Sequence, residues 1–440
     1  MTVASSEWWV RDTTVALPST AASGDKAEGA TPFAALIVFT CILLLSPQTW
    51  FPALKPLRIA FLSAGLAAAS LLWERRTHPK AVGFIREIAV CFTLLAWAFM
   101  TIPLSFWPGG SVARLTDVYI KSVIVFWLLA NVITTEHRLF RLRTVLMFCS
   151  VPLAAMALKN YATGSFIRDS DVVTRIIAYD AAMSSNPNDL ALMLNLLLPL
   201  SIACLLGART AFVRSLVIGV IVINITAIIV TFSRAGFLGL ATITALYFLR
   251  MIRRRGGDRM WAVAMCAVVI LSLPLLPSTY VERIATVTSV EADPTGSSQA
   301  RWRDTRAAAQ FVGGHPIIGA GLGMDVLALN QVRGAKWVQV HNVYLQYAVD
   351  LGVPGVTLFV LLFCGVFKAV RVSRKRLAEL PEHRDLFLVL EALETSLIVF
   401  AISGFFYPIA YDLFFYYIGG LALGARVVTH QVLSVTPART

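Results

Sequence analysis

The 440-residue chain is short of charge and short of cysteine. Asp, Glu, Lys and Arg make up 14% of it against 57% hydrophobic residues, and the mean hydropathy is +0.72. That balance excludes an ordinary soluble globular domain. The six cysteines (Cys41, Cys91, Cys149, Cys204, Cys266 and Cys364) stand singly inside apolar stretches. With no Cys-x-x-Cys pair among them, they read as small packing residues rather than redox or metal groups. No Walker-type glycine loop occurs, which argues against nucleotide hydrolysis. No group of His, Asp or Glu has metal-ligand spacing, and the two acids of "RDSD", residues 168 to 171, read as solvated loop. There is no internal repeat and no β-rich stretch. Residues 1–31 are polar, small and turn-rich without the basic-then-apolar order of a signal peptide, and they read as a disordered cytoplasmic tail.

What the chain has instead is a series of apolar runs near the ~20 residues needed to cross hydrocarbon. They centre on Ile42, Gly65, Leu94, Phe126, Phe148, Leu197, Val222, Thr242, Val268, Phe359, Ile398 and Ile418, the last two being open to reading as one re-entrant unit. The expectation is an all-α, polytopic integral membrane protein with about 12 transmembrane helices. Its transmembrane domain would span residues 32–427, with residues 428–440 a second cytoplasmic tail. With the N-terminus inside, every expected inner loop is basic, and 24 of the 38 lysines and arginines fall on that side. The positive-inside rule therefore sets the topology, and the net charge of +13 is an orientation signal facing anionic lipid rather than a nucleic-acid footprint.

Two outer segments, residues 158–188 and 277–345, are long enough to hold structure. The second lies between the ninth and tenth spans and is expected to be helical: "ARWRDTRAAAQFVGG" is an alanine-rich helix stopped by Gly313, Gly314 and Pro316. At ~100° per residue, Arg301 shares a less polar face with Thr305, Ala308 and Val312, while Arg303, Arg306 and Gln310 lie opposite. Arg301 thus points at the protein body, unless it snorkels to headgroups or pairs with an acid. Arg234 sits in "VTFSRAGFLGL", between two long spans with almost no loop, behind Ser233 placed as an N-cap. A basic residue kept on the outer side, at a helix N-terminus, points to anion binding, with interfacial anchoring the alternative. His341 precedes the tenth span. An imidazole with an ordinary pKa near 6.5 can be neutral and take a proton from a hydroxyl, although a lone histidine at a helix start is commonly structural. Asn342, Tyr344 and Gln346 are placed to orient it or a polar substrate, and "LGVPG" beyond marks a bend. Asn188, in "SSNPNDLALML", is either a capping residue or a substrate contact. Asp412 is an acid in an aromatic stretch that needs a partner.

The "FSRAG" turn, an outer-loop arginine followed by "HPIIGAGLG", and "HNVYLQYAVDLGVPG" occur in an order that resembles the bacterial O-antigen ligase and polymerase superfamily, over roughly residues 190 to 365. Thr305 departs from the aromatic often found there, with Trp302 expected to supply the packing. The resemblance implies a multi-pass protein of the bacterial inner membrane with its active site on the periplasmic face. Its substrate would be a glycan on undecaprenyl diphosphate, its acceptor lipid A-core or another glycan, and its surroundings membrane lipids. It implies Arg234 and Arg301 as diphosphate-binding residues and His341 as the essential histidine, acting without nucleotide, metal or other cofactor. Two guanidiniums suit a diphosphate leaving group, and one neutral imidazole suits an attacking hydroxyl. A ligase is the leading expectation and a polymerase the alternative. A secondary transporter is a remote third, since related halves and midplane charges are not evident.

Overall fold

A computed structural model describes residues 30–77, 85–170, 173–179, 181, 183–184, 186–253 and 297–435. Helices account for most of it. From the N-terminus they are α1 (Ala30–Leu45), the short α2 (Pro47–Trp50), α3 (Ile59–Thr77), α4 (Arg86–Thr101), α5 (Pro108–Arg114), α6 (Ile120–Val132) and α7 (Glu136–Ala162). Then come α8 (Pro187–Gly207), α9 (Ala211–Val230), α10 (Arg234–Arg253), α11 (Ser297–Gly314), α12 (Asp325–Arg333), α13 (Val343–Leu377), α14 (Arg384–Ser403) and α15 (Leu413–Val435). Eleven of the twelve expected span centres fall inside these helices, and the twelfth, Val268, lies outside the described residues. Eight helices among the described residues are long and apolar enough to cross a membrane, so the chain is a polytopic membrane protein. The last two expected spans correspond to two helices, α14 and α15, separated by residues 404–412. Helix α15 continues to Val435, past the boundary expected at residue 427.

One departure from an all-helical reading is a small antiparallel hairpin, β1 (Ile167–Ser170) and β2 (Val173–Arg175), in the first outer segment. The β-branched Val173 and Thr174 favour extended backbone there, and the stretch has no apolar 3.6 periodicity to make it helical.

Local chemistry explains where the long helices begin. Asn186 accepts the amides of Asn188 at 2.9 Å and Asp189 at 3.0 Å, with Pro187 at the first helical position of α8. Thr210 caps α9 through Val213 at 3.3 Å, and Thr135 caps α7 through Arg138 at 3.3 Å. Inside the bundle, α8 and α14 are the most enclosed spans. Lipid is as apolar as leucine, so close approach and polar bonds must hold such helices together. Gly236 of α10 permits that approach: a Cβ there would lie 2.6 Å from the Cβ of Ala191 in α8. One turn on, Asn195 of α8 donates to the Gly236 carbonyl at 2.9 Å, and Ser396 of α14 donates to Leu196 O at 2.7 Å.

Candidate functional site

His341 lies at a bend in the irregular connection, residues 334–342, that runs into α13. Asn342 ends this connection by capping the helix, its side chain accepting the Leu345 amide at 3.0 Å. On either side of the histidine the backbone is held: Val340 N–H donates to an Asp325 carboxylate oxygen at 2.8 Å and Val343 N–H to Gly404 O at 2.7 Å. The His341 ring places Nδ1 3.0 Å from Gln339 O. A carbonyl can only accept, so Nδ1 carries the proton and Nε2 presents a lone pair in the neutral ring. Burial, and next the nearby Arg301 guanidinium, hold the His341 pKa below its ordinary value, with the Gln339 bond opposing them. The outcome is a neutral imidazole suited to accepting a proton.

Arg301 reaches this position from α11. Arg301 is half-buried, Asp304, Ala307, Ala308 and Phe311 are buried, and Arg303, Arg306 and Gln310 are exposed, the face expected from the periodicity. Trp302 does not supply the packing expected of it. It is 55% exposed and carries Arg306 5.1 Å above its ring, because residues i and i+4 share a face and Arg306 is on the outer one. Phe311 packs inward instead, edge-on to Phe106 at 5.7 Å and stacked on His315 at 4.3 Å.

The two glycine-bearing motifs form one structure. Helix α13 breaks at Gly352, whose φ of 69° and closeness to Ile317 O, 2.2 Å from where a Cβ would stand, leave room for no side chain. The loop after α11 docks on the break. Ala320 N donates to Val349 O at 2.8 Å, Gly321 N to Asp350 O at 2.9 Å, and Val353 N to Pro316 O at 2.7 Å. The carbonyls freed by the bend are thereby satisfied.

A second polar group gathers where α8 and α10 begin. Ser233 caps α10, accepting the Gly236 amide at 3.1 Å, which sets Arg234 at the first helical position. Its hydroxyl donates to Asn188 Oδ1 at 2.8 Å, and the same oxygen accepts from Arg175 of β2 at 2.6 Å. Asn188 is therefore a junction of three segments, while the cap of α8 is Asn186. Between this group and Arg301 stands Tyr407, from the connection between α14 and α15. Buried to 1% exposure, it faces the Ser233 hydroxyl within electrostatic reach of Asp189, Arg175 and Arg301. Burial raises its pKa, so the phenol stays neutral.

The structure thus sets Arg301 within electrostatic reach of His341, and joins Asn188 to Ser233, the residue before Arg234. The other expected residues have other partners. Tyr344 donates to Ala401 O at 2.8 Å, Gln346 accepts the Ala410 amide at 3.0 Å, and Asp412 faces Arg114 at 3.4 Å. Sequence reasoning missed Arg175 and Tyr407. The signal for Arg175 was present, since it is another arginine on the outer side of a positive-inside chain, and at 6% exposure it is buried with its charge.

Comparison with curated proteins returns no match. A protein-family model described as O-antigen ligase matches residues 219–360, a stretch that contains Arg234, Arg301 and His341 and both glycine motifs. That stretch, about a third of the chain's length, is similar to the O-antigen ligase family.

Proposed function

We propose that this protein is a ligase that moves a glycan from undecaprenyl diphosphate to a hydroxyl of a lipid A-core acceptor, at the periplasmic face of the inner membrane. The observation that carries the reading is the placement of a cation beside a neutral imidazole whose Nε2 lone pair is available, on the face assigned to the outside by the charge pattern. Arg301 and Arg234 bind the diphosphate. The acceptor oxygen attacks the anomeric carbon from the face opposite the leaving group. A carbon–oxygen bond forms as the carbon–oxygen bond to diphosphate breaks, and that electron pair leaves on the diphosphate. His341 Nε2 takes the acceptor proton. The guanidiniums stabilise charge that grows in the transition state, where such stabilisation accelerates the step. A single displacement uses no enzyme nucleophile, so configuration inverts.

The test is reconstitution in detergent with a lipid-linked glycan and alternative acceptors, comparing wild type with His341→Ala, Arg234→Ala and Arg301→Ala. Loss of a general base is expected to lower turnover of His341→Ala at least ~100-fold. Unchanged turnover at normal protein level removes the mechanism. Extension of a lipid-linked repeat in place of transfer to lipid A-core makes the protein a polymerase, and transfer in detergent, where no gradient exists, dismisses transport.

A further inference from the structure

Helix α12 takes no part in the chemistry proposed above, yet each of its ends holds one of the two elements that carry it. At its first residue the Asp325 carboxylate, 1% exposed, accepts the Val340 amide at 2.8 Å, next to His341. At its last residue Arg333 pairs with Asp304 of α11, which lies three residues beyond Arg301 on the same inward face. Between them Asn330 Oδ1 accepts the amides of Lys336 and Trp337, both at 3.0 Å, and so fastens the loop that leads from α12 to His341. Trp337 adopts a φ of 52°, a backbone setting a bulky residue keeps only where its neighbours enforce it. Ala328 and Leu329 of α12 share one buried apolar cluster with Ala307, Ala308 and Phe311 of α11 and with Val340.

We propose that α12 is a brace that sets the spacing between Arg301 and His341, with Asp325 and Arg333 as its positioning residues. The proposal rests on the reading of Arg301 as diphosphate ligand and His341 as base. The two residues belong to different elements, and cation and base must be held to within a fraction of an ångström, since a misplacement of about 1 Å costs on the order of 10²-fold in rate. Polar contacts from one short helix reach both elements. Asp325 also carries a cost that solvation alone would not justify: burial pushes its carboxyl above the usual range, with the Val340 amide and the Arg114 charge opposing.

The test uses the full-length protein with lipid-linked glycan. Arg333→Ala is expected to lower the melting temperature, because Asp304 stays buried without its cation, and to lower kcat of the folded protein about tenfold or more with the donor KM near wild type, because binding groups remain while their alignment to the base is lost. Asp304→Arg combined with Arg333→Asp restores the pair and much of kcat. Asp325→Asn, which keeps an acceptor oxygen for Val340, retains activity, whereas Asp325→Ala does not. A second readout needs no turnover: modification of His341 by diethyl pyrocarbonate, followed by mass spectrometry across pH. The charged group acting on this imidazole is Arg301 from α11, and Asp325 from α12 holds the adjoining Val340 amide. Moving Arg301 away shifts the modification midpoint upward in Arg333→Ala. Wild-type kcat together with a wild-type midpoint in that variant overturns the brace. If wild type transfers no glycan with any acceptor, the functional reading fails, and an upward midpoint in Arg333→Ala still sustains the brace.

Discussion

Two arginine-rich regions of this protein differ in what surrounds their charges. Toward the inner ends of α10, α13 and α14, Arg250 and Arg374 face two buried glutamates of one helix. Arg374 lies 2.5 Å from Glu394 and 3.9 Å from Glu391, and Arg250 lies 3.8 Å from Glu394 and 4.0 Å from Glu391. Arg250 also donates to Thr395 at 2.5 Å. Cation there is matched to carboxylate, two for two. In the outer region the described partners include an imidazole, an amide and hydroxyls, with the acid Asp189 also in reach of Tyr407: His341 is near Arg301, Asn188 is bonded to Arg175, and Tyr407 is in electrostatic reach of both arginines. Matched buried charges fasten helices together. In the outer region Arg175, Arg234 and Arg301 outnumber the acid described among them, Asp189, and that excess of positive charge attracts anions.

The largest test of this contrast lies in the inner region. Removing one partner of a buried ion pair leaves uncompensated charge, at a cost of about 3–5 kcal/mol. Glu394→Ala is expected to lower thermal stability accordingly, while each folded molecule still transfers glycan at the wild-type rate. A folded but inactive Glu394→Ala protein would make the inner cluster part of the machinery. Asn188→Ala comes next. It deprives a buried guanidinium and the Ser233 hydroxyl of their shared acceptor, and hydrogen bonds to charged groups contribute about 1.5–3 kcal/mol. Here stability and turnover should fall together, because the junction also places the start of α10 and with it Arg234. A stability loss with full turnover would separate this junction from the site.

The fold was legible because its signal is long-range in the chain yet simple: apolar runs of span length, basic inner loops, and the capping residue Ser233. The inward turn of Arg301 was legible from helical geometry, and the bend at Gly352 from "LGVPG". The docking of "HPIIGAGLG" onto that bend was not, since it depends on carbonyls exposed by a break some thirty residues further on. Arg175 and Tyr407 escaped for a similar reason. One looks like loop polarity and the other like an interfacial aromatic, and their meaning arises when the β2 strand and the connection before α15 meet above α8. Trp302 misled because its size suggested core, whereas its position four residues before Arg306 puts it on the outer face.

A subtler difference between the regions is pH response. In the proposed role of base His341 must be neutral to accept a proton, and burial and Arg301 together hold its pKa below the ordinary value of about 6.5. Activity is then retained as pH falls toward 6.5 and is lost only through the lowered pKa, so the acid limb of kcat/KM lies under that value. Arg301→Gln removes the second of the two lowering causes. Its acid limb should move toward higher pH, on top of the loss of rate from weaker diphosphate binding. A limb that stays in place or moves lower would mean that Arg301 does not act on His341.

The smallest effect expected is at Trp302. Its ring is exposed and its described contact is the stacked Arg306, a surface cation–π pair that contributes about 0.5–1 kcal/mol. Trp302→Ala should therefore shift the melting temperature slightly and leave kcat unchanged, even though the residue adjoins Arg301 in sequence. The variant is informative because neighbours on a helix point about 100° apart. If Trp302→Ala abolished transfer while Thr305→Ala did not, the working face of α11 would be the one bearing Trp302 and Arg306, and Arg301 would be turned away from the imidazole.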